Sequence, residues 1–453
     1  MKRWAWVWIA AVLSCIPILS LRNSSSALLQ DTDTAFLLKQ IRAEGDPWRW
    51  FTHDWPLGNH FYRPISTLTF QLDNALYRNQ AAGYGLTNAL LCCACVILLA
   101  WAVREITDSA PIAIASTVIF ALWHAEWLVR ASTYFAYIAL LIGFFGLFRH
   151  GFKVRYWLPA VAAFGFLCVE LRGIAPLQFR MIEWLPGRTA STMTVFCLAA
   201  IAAYARFERR SAIRTEAPPT SMDEPAGTRS SSATESGGKF DVLWAVASLL
   251  FCALALGSYE QAVMLPAALV AVGVSFRYRR YQVRWIWPIL SWGLLILYYI
   301  ARRSFLPEGV SSYQSQQFRS GPGVYMDLAT YILPCLTTLY FALQILDLGW
   351  IVLIGKQVYE AIWIAYGNVA GFLSLRRHWV LAATGYSLSC LAFLPMAWLN
   401  RFDHYHYWPM AMRSLFVTML AIGVWDLTVT ALSPPARQAP PRPAAAPGSL
   451  PHP

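Results

Sequence analysis

Phe61-Tyr62-Arg63-Pro64-Ile65-Ser66-Thr67-Leu68, followed by Gly83-Tyr84-Gly85-Leu86-Thr87-Asn88, closes a polar segment, residues 22–84, that lies between two membrane-length apolar runs. Working outward from it, apolar runs recur at 4–21, 85–103, 110–128, 133–148, 156–172, 190–206, 241–257, 261–276, 285–301, 327–346, 350–374, 378–399 and 409–428. Each approaches the ~20 residues that carry a helix across a bilayer. The runs are continuous, whereas barrel strands alternate apolar and polar residues. Hydrophobic residues make up 57% of the 453 and charged residues only 13%, about half the charged share of a soluble domain. The reading is therefore an all-α, polytopic transmembrane protein of about 11–13 spans with a large helical first outer loop. The 21 Trp and 21 Tyr suit interfacial aromatic belts.

Charge sets the expected orientation. The net charge of +12 would point to nucleic acid in a soluble chain, but no basic, aromatic-interleaved domain is present, so no nucleic-acid partner is expected. The basic residues instead sit in short loops: Lys2-Arg3, Arg104, Arg149 to Arg155, Arg206 to Arg214, Arg277 to Arg284 and Arg376-Arg377. The positive-inside rule puts these in the cytoplasm and residues 22–84 outside. Parity closes if 327–346 is re-entrant or interfacial.

The resulting organisation is a signal-anchor span, 1–21; an outer loop, 22–84; transmembrane helices, 85–206; a disordered cytoplasmic linker, 207–240; transmembrane helices with an outer loop at 302–326, 241–430; and a disordered Pro/Ala-rich tail, 431–453. The location expected is the cell (inner) membrane, with a cytoplasmic N-terminus and membrane lipids as partners. All nine cysteines lie in apolar runs without metal spacing and read as small core residues.

Chemistry must come from outer loops and span ends. Asp31 and Asp33 follow the first span. A carboxylate held at a membrane face can take a proton from an acceptor hydroxyl; equally, Asp31 can cap the helix that follows. Arg63, Arg130, Arg172, Arg180, Arg188, Arg302, Arg303 and Arg401 fall at outer ends, where guanidinium groups suit a lipid phosphate or snorkel to headgroups. His124 with Glu126, and His404 with His406, are the outer His-bearing clusters. A divalent cation is the one cofactor they could hold jointly; packing is the plainer reading. Glu170 and Glu260 are carboxylates at span ends, where ionisable groups draw functional suspicion.

Tyr62-Arg63-Pro64-Ile65-Ser66-Thr67-Leu68-Thr69-Phe70-x-Leu72-Asp73, with Gly83-Tyr84-x-Leu86-x-Asn88-x-Leu90-Leu91, resembles the first-loop signature of C-type (GT-C) polytopic glycosyltransferases. The similarity is greatest to the transmembrane O-mannosyltransferase-like proteins, without their tetratricopeptide repeats. Gly257-Ser258-Tyr259-Glu260-Gln261 through Pro266 and Arg401-Phe402-Asp403-His404-Tyr405-His406-Tyr407-Trp408-Pro409 resemble later elements of the same family. Two places compete for its second acidic motif: His124-Ala125-Glu126, and Ala175 to Arg188, where Gly187-Arg188 is kept and the histidines are lost.

The resemblance implies sugar transfer at the outer leaflet from a polyprenyl-phosphate-linked donor to a protein or glycan acceptor. It makes Asp33, or its neighbour Asp31, the base. It assigns substrate binding to Arg63, Tyr62, His124, Glu126, Arg188, Glu260, Arg302, Arg303, Arg401 and His404. The degraded second motif leaves open a non-catalytic relative acting as scaffold or lipid-binding subunit in envelope assembly. A lipid or solute transporter is the third alternative.

Overall fold

Arg188, fully buried, fixes how the segment 22–84 meets the helical bundle. The structure, a computed structural model, describes residues 2–125, 164, 167, 170–171, 177–215, 232–332, 378–400 and 402–432. In chain order the helices are α1 (Lys2–Ser20), α2 (Ala27–Gln30), α3 (Thr32–Glu44), α4 (Pro64–Tyr77), α5 (Ala81–Thr107), α6 (Ala110–Leu122), α7 (Leu177–Met181), α8 (Arg188–Thr215), α9 (Ser232–Leu256), α10 (Leu265–Tyr278), α11 (Ile286–Phe305), α12 (Ser312–Gln317), α13 (Pro322–Ile332), α14 (Trp379–Phe393) and α15 (Tyr407–Leu432). Short 3-10 turns at Leu185–Gly187, Glu260–Met264 and Asp403–His406 lead into α8, α10 and α15. No strand occurs among the described residues, and a single bridge pairs Phe318 with Leu399.

Five helical stretches are long and apolar enough to cross a membrane: Ala81–Thr107, Leu185–Ser211, Glu260–Tyr278, Trp379–Met396 and Asp403–Leu427. Trp4–Ser20, Ala110–Leu122 and Asp241–Leu256 are shorter apolar helices. The expected runs 133–148 and 350–374 lie outside the described residues. Helix α8 packs between α5 and α9, α1 lies on α5 and α6, and α14 lies on α15. At the perimeter, Ile289, Leu290, Ile296, Leu297 and Ile300 of α11 are exposed. An apolar stripe of that kind suits a hydrocarbon surround. The expected disordered segment 207–240 is helical at both ends, since α8 continues to Thr215 and α9 begins at Ser232.

Basic residues gather at one end of the bundle. Arg104 lies over the Trp4 ring at 4.3 Å, Arg206 and Arg209 pair with the buried Glu105 at 3.4 and 2.9 Å, and Arg279 donates to the Ile106 carbonyl. The helices of segment 22–84, α2, α3 and α4, sit at the other end with those three 3-10 turns.

Local chemistry explains those loop helices. Asp31 caps α3 by accepting from the Thr34 amide at 3.2 Å, and Gly45, at φ 66°, ends the helix by donating to the Ile41 carbonyl, the left-handed exit that favours glycine. Pro64 opens α4, where its missing N–H costs nothing. At Gly85 a Cβ would meet the Asn23 carbonyl oxygen at 1.8 Å, so the loop's start can lie against α5 only because that residue is glycine.

Helices α4, α5 and α8 meet at Arg188. Its guanidinium is fully buried and pairs with Asp73 at 2.7 Å. It also donates to Asn88 Oδ1 at 2.7 Å, the Tyr84 carbonyl at 3.0 Å and the Thr69 carbonyl at 3.4 Å. Thr87 donates to the other Asp73 oxygen at 2.8 Å. Burial pushes the Asp73 carboxyl up even though Arg188 opposes it. The pair is therefore costly to desolvate, and breaking it is costlier still.

Arg188→Met is expected to lower stability by about 3–5 kcal/mol, because Asp73 is left buried and unpaired. Thermal unfolding of the detergent-solubilised protein measures this. The deficit should shrink as pH falls, since a protonated Asp73 needs no counter-charge. A second change, Asp73→Leu, should recover much of the loss at neutral pH.

Candidate functional site

Three segments singled out in the sequence converge at the end of the bundle opposite the basic residues. The amide of Ile65 donates to the Gly257 carbonyl at 2.9 Å, and Ser66 Oγ donates to the Ser258 carbonyl at 2.8 Å. Arg63 binds Glu260 Oε2 through Nε at 2.8 Å and through Nη2 at 2.7 Å. The start of α4 is thus sewn to the turn before α10. That turn in turn grips the third segment: Gln261 Nε2 donates to the carbonyls of Tyr405 and Ala392 at 2.9 and 2.7 Å.

Arg63 lies in an aromatic cup. Its guanidinium carbon is 4.1 Å from the Phe61 ring centroid, 4.4 Å from Tyr259 and 5.4 Å from Trp55. Burial works against its charge, but the Glu260 carboxylate wins and holds its pKa above the ordinary arginine value. Glu260 Oε2 takes both donors, while Oε1 is buried with no hydrogen-bond partner among the described residues.

Beside the cup stands His404, almost fully buried, its ring 5.3 Å from Trp184 and 4.5 Å from Tyr405. It lies within the electrostatic reach of both Arg63 and Arg180. Arg180 covers the Trp184 ring at 5.1 Å, and Trp184 donates to Asp31 Oδ2 at 3.3 Å. Gly187 makes this approach possible, since a Cβ there would meet the Arg180 carbonyl oxygen at 1.8 Å.

Asp33 occupies the first turn of α3 and faces the same neighbourhood. It is open to solvent on one side. Partial burial on the other side, and then the like charge of Asp31, push its carboxyl above the usual range, while Arg180 pulls the other way. Tyr313 senses both Arg63 and Asp33, and its ring meets Phe61 edge-on at 6.2 Å. One cluster therefore holds an accessible carboxylate, a partly buried arginine at Arg180, a locked Arg63–Glu260 pair and a set of aromatic faces.

The other residues singled out in the sequence fall elsewhere. Arg188 is turned into the α4–α5–α8 junction and has no side open to a ligand; a desolvated guanidinium needs every donor satisfied, and internal partners satisfy it. His124 is fully buried, bonded to the Phe120 carbonyl at 3.0 Å and to the Tyr407 hydroxyl at 2.9 Å. Tyr62 donates to the Phe51 carbonyl at 2.9 Å and packs against Tyr298 and Phe305. The side chains of these three are engaged in holding the structure together. Arg302 reaches the His60 carbonyl at 3.4 Å, at the edge of the site, and Arg303 is exposed next to it. Glu170 makes a buried, two-bond pair with Arg413 at 2.8 and 2.9 Å. Glu126 and Arg401 lie outside the described residues. Among the described residues no three His, Cys, Asp or Glu side chains gather as metal ligands.

Sequence reading left Arg180, Trp184, Tyr259 and Tyr313 out of the site. Arg180 carried a signal as an outer-end arginine, and Trp184 and Tyr259 lay inside quoted motifs. Tyr313 carried none. No family model matches this chain, and neither the curated proteins nor the solved structures contain a match.

Glu260→Ala is expected to loosen the outer loop from the bundle by roughly 1.5–3 kcal/mol, the worth of hydrogen bonds to a charged group. Hydrogen exchange across residues 61–70 and 257–264 should rise together; unchanged protection would show that the backbone contacts suffice alone.

Proposed function

We propose that this chain is a multi-pass membrane glycosyltransferase that moves a sugar from a polyprenyl-phosphate-linked donor to an acceptor hydroxyl at the outer membrane face. The observation that carries the reading is the juxtaposition of the accessible Asp33, its carboxyl raised by burial and by Asp31, with Arg180 and the aromatic Arg63–Glu260 cup. A carboxylate of raised pKa beside a cation is an arrangement suited to proton transfer. The resemblance of the three converging motifs to polytopic GT-C transferases supplies the class of donor and of acceptor.

In this reading Asp33 takes the proton of the acceptor hydroxyl as its oxygen bonds to the sugar's anomeric carbon. The bond from that carbon to the phosphate oxygen breaks, and the lipid phosphate leaves with the electron pair. Arg180 is placed to offset the charge that grows on the leaving phosphate. The orphaned Glu260 Oε1 is an acceptor for a substrate hydroxyl. The basic end of the bundle, with Arg104, Arg206 and Arg209, would be cytoplasmic. In this reading the cluster is on the opposite side, in a chain of 11–13 spans with a cytoplasmic N-terminus in the cell membrane.

A second reading is a non-catalytic relative that holds lipid or envelope components. It is favoured by the employment of Asp31, whose Oδ2 caps α3 and accepts from Trp184. That geometry gives Asp31 a structural task and leaves Asp33 as the sole candidate base of the two.

Reconstitution with radiolabelled polyprenyl-phosphate sugars and membrane extract as acceptor tests both. Asp33→Asn should cut transfer by about 10²–10⁴-fold, the usual worth of a positioned base. Transfer that survives it removes Asp33 from the role, and no transfer with any donor favours the second reading.

The reaction also has an expected pH dependence. Asp33 must be ionised to act, so transfer should fall on the acid side at a higher pH than an ordinary aspartate, about 3.9, would give. Asp31→Asn removes the repelling charge and should move that limb to lower pH. A raised carboxyl favours the protonated fold, so its stabilising contribution exists below the unfolded value and is lost as pH rises. Asp33→Asn should accordingly leave the protein no less stable at pH 7 while transfer is lost.

A further inference from the structure

Outside the cluster, the outer loop contains a cavity of about 310 Å³, at the lower end of the ~300–1,000 Å³ typical of small-ligand sites. It lies between α3 and the segment after it, and Phe36, Gln40, Glu44, Arg49, His53 and Trp55 line it. Gln40 and Glu44 follow Asp33 on α3 at steps of seven and four residues, so all three share one side of the helix. The cavity therefore continues the face on which Asp33 stands.

Its walls combine aromatic surface with polar groups that donate and accept. Phe36 is exposed. Glu44 and Arg49 pair at 2.9 Å at the rim. His53 engages the Thr52 hydroxyl and the Arg49 carbonyl through Nδ1, which makes Nε2 the nitrogen available to a ligand. Trp55 is only 3% exposed, and its indole N–H has no acceptor among the described residues. The Trp55 ring also lies 5.4 Å from the Arg63 guanidinium, so it is a wall shared by the cavity and the cluster.

The chemistry narrows the occupant. The cavity's arginine is already paired with a carboxylate and Asp54 adds another acid, which disfavours an anion. Four charged or titratable side chains disfavour a hydrocarbon chain. No strand edge is present to receive an extended peptide among the described residues. A ligand that stacks on Phe36 and both gives and takes hydrogen bonds with Gln40 and His53 is hydroxyl-rich and uncharged.

We propose that this cavity binds a neutral saccharide; its use as the seat of the acceptor, which the shared α3 face would lead to Asp33, rests on the transferase reading above. The full-length, detergent-solubilised protein is titrated with maltotriose, mannotriose and chitotriose. Tryptophan fluorescence and saturation-transfer NMR report binding. At least one trisaccharide should saturate in the millimolar range. Phe36→Ala, which removes the exposed stacking face, should weaken it about threefold to tenfold, the worth of one aromatic contact. Gln40→Ala should also weaken it and serves if Phe36→Ala does not fold.

Absence of binding by all three sugars overturns the proposal. So does binding that neither substitution weakens, or competition by a serine- and threonine-containing peptide that the sugars do not match. Asp33→Asn should retain sugar binding. Transfer activity without sugar binding would remove the subsite alone, whereas sugar binding without transfer from any donor would keep the subsite and remove the transferase reading.

Discussion

A guanidinium shut away from water dictates how this protein's outer loop is built. Arg188 must have its donors met inside the fold, and they are met by Asp73, Asn88 and two backbone carbonyls. Those partners come from α4 and α5, so the pair sets α4 on α5 and both on α8. Because Gly187 precedes it with no room for a Cβ, the same anchor presents Trp184 and Arg180 to Asp31 and Asp33. A buried pair of this kind adds little net stability over an apolar filling, yet it strongly penalises any other arrangement. Its value is in register.

The second anchor, Arg63 with Glu260, works in wetter surroundings and joins residues 197 apart in the chain. It brings the loop's arginine into a cup of Phe61, Tyr259 and Trp55 rings. The two anchors divide the charges at this end of the bundle. Arg188, Asp73, Arg63 and most of Asp31's hydrogen-bonding capacity are committed to structure. Asp33 and Arg180 remain, and they are the groups on which the proposed chemistry rests.

Much of the site's composition was legible and little of its division of labour. The quoted motifs did contain Asp73, Tyr84, Asn88 and Arg188, but their pattern could not tell a ligand-binding arginine from one held by four internal partners. The deciding partners lie about a hundred residues away and act through burial, which no spacing rule encodes. The same holds for His124. At a span end it reads either as a packed residue or as a ligand, and in the fold it is enclosed by Phe120 and Tyr407. The alternative reading of Asp31 as a helix cap was legible, because capping is a local interaction between residues three apart. Tyr313 could not have been found, since it reaches the cluster only by the return of α12 over the loop.

The sequence by itself determined the all-helical architecture, the succession of apolar helices and the division of charge between the two ends, because these depend on composition and on periodicities within single segments. It also marked the segments around Arg63, Glu260 and His404 as worth attention. The tertiary structure alone decided that those three segments meet, that Arg188, Tyr62 and His124 hold the fold together, and that Asp33 shares its neighbourhood with Arg180. Those outcomes turn on which polar groups lose water and which partners then satisfy them, and that is settled only when distant parts of the chain are packed against one another.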